Sequence, residues 1–110
     1  MSIENETMVD GLGTDHTTGE AVLLISDHLD WLDVHAHLLA LERKINGYLQ
    51  FMESGQLIET LPDAAGRRIR IRVVQQFPPP AEAMTTLDSL ATQLASNGVA
   101  LGYGPLPELH

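Results

Sequence analysis
The chain contains no cysteine. That removes disulfides, cysteine-ligated zinc, iron–sulfur clusters and thiol nucleophiles. Basic residues are scarce: six Lys and Arg stand against fifteen Asp and Glu, a formal charge of −9. Coating a nucleic acid needs a basic excess, so nucleic acid is excluded as a partner. One tryptophan, two tyrosines and two phenylalanines are too few and too scattered for a base-stacking surface. Long apolar runs are also missing. The longest, Ala21 to Ile25, is far short of the ~20 residues that span a bilayer. The opening stretch MSIENETMVD has no Lys or Arg and leads into no apolar segment, so no secretory signal is recognisable. These absences predict a soluble cytoplasmic protein with no membrane partner.

What is present is enough for a folded core. A chain of 110 residues with 44% apolar content suits one domain, and at this length roughly two-thirds of the unfolded surface is buried. The expectation is a single domain over 1–110, with 1–6 and 104–110 as tails. Charge is unevenly spread. Residues 1–40 hold eight acids and no base, whereas four of the six bases fall within Arg67 to Arg72.

Hydrophobic spacing predicts the order ββαβαβ. Thr7–Leu12 and Glu20–Ser26 are strand candidates, joined by the turn-forming stretch Thr14 to Gly19. Within the second, Val22 to Ile25 are consecutively apolar, the pattern of a strand buried on both faces. Leu38, Leu41, Ile45, Tyr48, Leu49 and Met52 recur at steps of three and four, one face of a helix, with Asp30 or Asp33 as N-cap and Ser54-Gly55 as its stop. Gln56 to Gly66 is mainly connection. Arg68–Phe77 is the clearest strand, alternating Ile69, Ile71 and Val73 with Arg68, Arg70 and Arg72. After a proline run, Ala83, Met84, Leu87, Leu90, Ala91 and Leu94 form a second helical stripe, and Val99–Tyr103 is a short last strand. The fold class is therefore α+β, a two-layer sandwich of two helices on one face of a roughly four-stranded mixed sheet. Strand order does not follow from these patterns.

Three features can carry chemistry. Asp33-Val-His35-Ala-His37 has the spacing of a metal-binding His-x-His, but on a helix residues two apart point about 200° away from each other. Two partly exposed histidines at a helix start are the simpler expectation. Asp27-His28, just after a strand, can act as a general base or contribute metal ligands, yet no GxSxG elbow or cysteine supplies a nucleophile. Arg68, Arg70 and Arg72 share one strand face and suit carboxylate or phosphate contacts, or pairing with nearby acids such as Glu20. By contrast, Asp10-Gly-Leu-Gly13 lacks the strand–helix context of a phosphate loop and is expected as a turn or bulge. No catalytic residue, cofactor or metal site is assigned; Arg68, Arg70, Arg72, Asp27 and His28 are candidate interaction residues.

The run Ile25-Ser-Asp-His-Leu29, with Trp31, His37-Leu38 and Lys44-Ile-Asn-Gly-Tyr-Leu49, resembles a family of small bacterial proteins defined only as a domain of unknown function. The similarity continues through Phe51 to Gly55, Pro62, Gly66-Arg67, Ile71 to Val74 and Pro78-Pro79. It implies a small α+β domain of the bacterial cytoplasm and transfers no activity, cofactor or catalytic residue. His28 and His37 fall on family-like positions. The leading functional expectation is a non-enzymatic protein-interaction module, as a homodimer or with another protein. It rests on the doubly apolar strand Val22 to Ile25, which needs cover on the face the helices leave bare. The alternatives are a small metal-assisted hydrolase using Asp27 and His28, and an acidic inhibitor or immunity-like protein that captures a cationic partner.

Overall fold
The structure is a computed structural model that describes residues 9–105. The expected tail 1–6, the start of the first expected strand and residues 106–110 lie outside the described residues. Along the chain run β1 (Gly11–Thr14), β2 (Ala21–Asp27), α1 (Val34–Glu53), α2 (Gln56–Thr60), a 3-10 turn (Pro62–Ala64), β3 (Ile69–Gln75), α3 (Ala81–Ala95) and β4 (Val99–Gly104). The order ββαβαβ holds, with α2 as a short addition inside the expected connection. The sheet is mixed and runs in sequence order, β1-β2-β3-β4, with β1–β2 antiparallel and the other two pairs parallel.

The hairpin closes through Asp15. Its carboxylate accepts the N–H groups of Thr17 (2.8 Å) and Thr18 (3.3 Å), and the Gly19 N–H donates to its carbonyl (2.7 Å). This is the local bonding that makes aspartate a turn former, and it holds the Asp15 carboxyl below its usual range. Asp10-Gly-Leu-Gly13 is not a turn: Gly11 to Thr14 pair with Ala21 to Leu24 as an edge strand. Glycine suits position 11 because a Cβ there would come within 3.0 Å of a Leu24 methyl.

Asp33 caps α1, its carboxylate accepting the Ala36 N–H at 3.0 Å. The helix ends at Ser54, and Gly55 takes a left-handed φ of 88° that other residues adopt only with strain. Its buried face is His37, Leu41, Lys44, Ile45 and Tyr48. Leu41, Ile45 and Tyr48 were expected there; His37 and Lys44 were not. The stripe on α3 is narrower than its apolar content predicts. Ala83, Leu87 and Leu94 are buried, while Met84, one residue and therefore about 100° round from Ala83, is exposed.

Both long helices pack on one side of the sheet. Leu23 and Ile25 of β2 and Ile71 and Val73 of β3 are fully buried in one cluster with Leu41, Ile45, Tyr48, Leu87 and Leu94. Burying each such aliphatic side chain contributes about 1.5–3 kcal/mol. The two parallel crossovers advance the sheet in the same direction, so with a common hand their helices fall on the same face. Among the described residues the other face carries no helix, and there Val22 and Leu24 are only half-buried.

Candidate functional site
Strand pairing fixes what the open face presents. Val22 sits beside Arg70, which in turn sits beside Ala100; Leu24 sits beside Arg72 and Arg72 beside Gly102; and Ser26 sits beside Val74. Residues in register on neighbouring strands share a face, so Val22, Leu24, Arg70, Arg72 and Val74 form one central surface. Gly11 and Gly13 stand opposite Leu24 and Val22 on β1. Having no side chains, they leave a depression of about 290 Å³ bordered by Leu12, Thr14, Val22 and Leu24.

The arginines expected to act as a row are separated by their partners. Arg68 lies just before β3 and is exposed. Arg70 pairs with Glu20 (Nε to Oε1, 3.0 Å), and that bond holds the Glu20 carboxyl below its usual range. Arg67 is anchored on Asp63 and on the Gly19 carbonyl. Arg72 has neither an ion pair nor a side-chain hydrogen bond among the described residues. It is half-buried between Leu24 and Gly102.

At the carboxyl end of β2 the structure brings together residues that the sequence placed in separate motifs. Asp27 follows Leu23 and Ile25 in period two, so it points into the helix-covered layer and is 2% exposed. Its carboxylate accepts the Leu29 N–H (3.2 Å) and meets Nε2 of His37 at 2.6 Å. Nδ1 of His37 lies 2.9 Å from the Asp30 carbonyl. An oxygen thus faces each ring nitrogen, and His37 is engaged on both sides, by the Asp27 carboxylate and by the Asp30 carbonyl. Trp31 stacks on the His37 ring (3.6 Å between centroids, 19° between planes), and its indole N–H donates to the Phe77 carbonyl at 3.1 Å. A stacked indole favours a cationic ring. Buried and engaged at both ring nitrogens, His37 offers neither to a substrate, and the cluster fastens the 28–33 connection over the end of the sheet. The expectation of two partly exposed histidines holds for His35, which is exposed, but not for His37. The two point to different sides, as helical spacing requires. His28 is exposed, whereas the Asp27 carboxylate next to it in sequence is buried and held by His37. Among the described residues no group of three or more His, Asp or Glu is placed to hold a metal ion.

A second buried polar cluster bolts β1 and β2 to α1. Lys44 is fully buried and donates to Asp10 (3.1 Å), whose other carboxylate oxygen accepts the Ser26 N–H (2.9 Å). The Asp10 N–H donates to the Tyr48 hydroxyl (2.9 Å), which donates to the Leu24 carbonyl. Burial pushes the Tyr48 phenol up to about 12. The Lys44 ammonium also stands 5.4 Å from the centre of the Tyr48 ring. Sequence analysis missed this cluster, although a signal exists. Positions 37, 41, 44 and 48 step by four, three and four, so a His and a Lys stand in phase with a buried stripe and each requires a buried acid.

A family model for a family of unknown function (DUF6572) matches residues 1–106. No curated protein and no solved structure matches the chain. No helix among the described residues is long and apolar enough to cross a membrane.

Proposed function
Since the chain belongs to the family of unknown function DUF6572, whose description names no activity, its role has to be read from its own surface, and we propose a non-enzymatic protein-interaction module. Its docking surface is the open face of the sheet, and its occupant is a segment of another protein that carries carboxylates and apolar side chains. One observation carries this reading: Arg72 stands half-buried, and unpaired among the described residues, in the middle of an apolar surface. A guanidinium there is already partly stripped of water and presents a fork that matches a carboxylate. Charge-assisted hydrogen bonds of this kind contribute about 1.5–3 kcal/mol. The depression over Val22 and Leu24 beside it takes an apolar side chain from the same segment.

A second copy of the chain fits less well. Two-fold stacking of open faces sets Arg72 and Arg70 of one copy against those of the other. Placing the arginines on the acidic hairpin of a neighbour instead gives a head-to-tail contact that does not close. The buried state of Asp27 also argues against the hydrolase alternative, because its carboxylate is out of reach of a substrate arriving from solvent.

The test is a charge swap followed by fluorescence anisotropy. A labelled peptide of alternating leucine and glutamate binds the native chain, and binding weakens steeply as salt rises to about 0.5 M. Arg72→Glu abolishes this binding and creates affinity for the matching leucine–lysine peptide. An acidic peptide that binds native and Arg72→Glu chains equally refutes the assignment of this face. Sedimentation that shows dimers lost in Arg72→Glu replaces the foreign partner with a second copy.

A further inference from the structure
The two edges of the sheet are built differently. β1, at one edge, is four residues long, holds two glycines and is flanked by Asp10 and Asp15. A short edge bordered by charge does not invite another strand, and folded proteins commonly protect their edges in this way. β4, at the other edge, lacks these protections. It is six residues long, Val99–Gly104, and no Lys, Arg, Asp or Glu occurs from Ser96 to Pro105. β3 pairs with one side of it, and among the described residues no strand lies along the other. Every second residue of such a strand turns its N–H and C=O outward, so β4 presents a row of hydrogen-bonding groups to whatever comes beside it.

That row requires an extended strand, and the side chains decide which one. Val99, Leu101 and Tyr103 stand in register with Ile69, Ile71 and Val73 and belong to the helix-covered side, whereas Ala100 and Gly102 lie on the open side. Val99 is buried, but Leu101 and Tyr103 are only half-buried. A second β4 can be set antiparallel to the first about a two-fold axis at Leu101. Val99 then meets Tyr103 of the second copy, Leu101 meets its own counterpart, and Ala100 meets Gly102. Apolar side chains face each other along the covered side, and pairs of a β-branched with an aromatic residue favour cross-strand contact. On the open side only small residues meet. Arg70 reaches over β4 there, its Nη1 3.4 Å from where a Cβ of Gly102 would stand, but its charge is matched by Glu20.

Charge also selects a copy of this chain joined at this edge. At −9, two copies repel wherever their acids meet. Eight of the fifteen acids fall in residues 1–40. Those among the described residues are carried by β1, β2 and their connections, with β3 between them and β4. Pairing through β4 keeps the two acid-rich halves at opposite ends of the joined sheet. α3 carries Glu82 and Asp88, and Asp88 is engaged by the Tyr103 hydroxyl at 2.8 Å.

We infer that two copies of the chain join through their β4 edges as an antiparallel two-fold pair, merging two sheets of four strands into one with a β1 at each end. A two-fold contact uses the same surface on both copies and closes on itself. The blunt β1 ends stop further growth. The contact leaves the open face uncovered, so it holds whether or not that face docks a foreign segment.

The test combines sedimentation equilibrium of the full chain with amide hydrogen exchange read by nuclear magnetic resonance. A contact of one short strand belongs to the weak, reversible class, so half-association is expected between about 10 μM and 1 mM. Over that range the mass rises from one copy toward two. In step with it, the amides of every second residue from Val99 to Gly104 exchange more slowly, while those of β1 do not change. Leu101→Lys sets two ammoniums against each other at the axis and keeps the chain a single copy with native circular dichroism. Arg72→Glu associates as the native chain does. A mass that stays at one copy up to about 1 mM overturns the proposal. So do dimers whose β4 amides exchange as fast as those of the single copy. Both are read on the native chain, so they decide the matter even if Leu101→Lys folds poorly. Dimers lost in Arg72→Glu but kept in Leu101→Lys put the contact on the open face and overturn it too. A chain that stays single while the leucine–glutamate peptide slows the β4 amides gives this edge to a foreign strand, against the second copy.

Discussion

Replacing His37 with leucine leaves the Asp27 carboxylate in a place where water does not reach it. The two side chains are 2% and 1% exposed and 2.6 Å apart. Breaking a buried pair by removing one partner costs about 3–5 kcal/mol, because the remaining charge is uncompensated. Against a total stability of about 5–15 kcal/mol for a domain this size, that is a large share. At about 4–8 °C per kcal/mol, the midpoint of thermal unfolding falls by roughly 12–40 °C. Asp27→Asn is far milder. The asparagine oxygen still accepts the Leu29 N–H, its amide donates to Nε2 of His37, and a neutral imidazole keeps one proton on Nδ1 for the Asp30 carbonyl. The expected loss is about 1 kcal/mol, one hydrogen bond made weaker. The double variant Asp27→Leu/His37→Leu removes the buried carboxylate along with its partner and takes the side-chain partners from the Leu29 N–H and the Asp30 carbonyl, at about 1–3 kcal/mol. The double variant is therefore more stable than His37→Leu alone. Urea unfolding followed by far-ultraviolet circular dichroism measures all three, because Trp31 fluorescence responds to the local stack as well as to global unfolding. A His37→Leu chain within about 1 kcal/mol of native, or a double variant less stable than the single, refutes the buried ion pair.

Tyr48 makes the fold sensitive to alkali. Its phenol titrates near 12 in the folded chain against 10.0 for an unperturbed tyrosine. The stability it carries is intact below pH 10 and is lost as pH rises to 12, at about 1.4 kcal/mol per pH unit. Tyr48→Phe flattens that limb, measured by urea unfolding at stepped pH. Lys44→Met takes the ammonium away from the buried Asp10 carboxylate, which keeps the Ser26 N–H, and is expected to destabilise by about 3–5 kcal/mol, with amide hydrogen exchange rising first in β1. Gln75→Leu replaces a buried amide, unpartnered among the described residues, with an apolar group and should raise stability by about 1–2 kcal/mol in chemical denaturation. Arg72→Ala leaves stability within about 0.5 kcal/mol of native, because Arg72 holds no partner among the described residues; a larger loss shows that Arg72 serves the fold.

Element types were legible wherever period and length agreed. The twenty residues of α1 and the alternation through Ile69, Ile71 and Val73 each gave one answer. The first strand was expected at Thr7–Leu12, but its extension through Gly13 and Thr14 was not legible, because Gly11 and Gly13 carry no side chains to alternate and read as a turn or bulge; pairing with β2 makes them a strand. That the arginine row could pair with acids such as Glu20 was visible from charge, and the structure gives that partner to Arg70. The separate fate of Arg72 was not, because it depends on strand order, which no local pattern encodes. The same holds for Asp27. Beside His28 in sequence it reads as half of a dyad, but the pleat turns it inward to a helix whose histidine lies ten positions on. Polar residues in phase with a buried stripe were the missed signal, at His37 and Lys44 on α1 and at Gln75 on β3.

The sheet's strand order has a consequence for how the chain is made. β2 pairs in parallel with β3, and almost half of the sequence separates Ala21 from its partner Ile69. During synthesis the hairpin and α1 emerge together, and Asp10, Lys44 and Tyr48 can join them before β3 exists. Once β3 docks, it remains an unpaired edge bearing Ile71 and Val73 until Val99 to Gly104 leave the ribosome. The interval in which α3 is emerging from the ribosome is therefore the one in which the nascent chain is most exposed to strand-to-strand aggregation. Arg70 and Arg72, whose charge discourages such pairing, sit on the strand that has to wait.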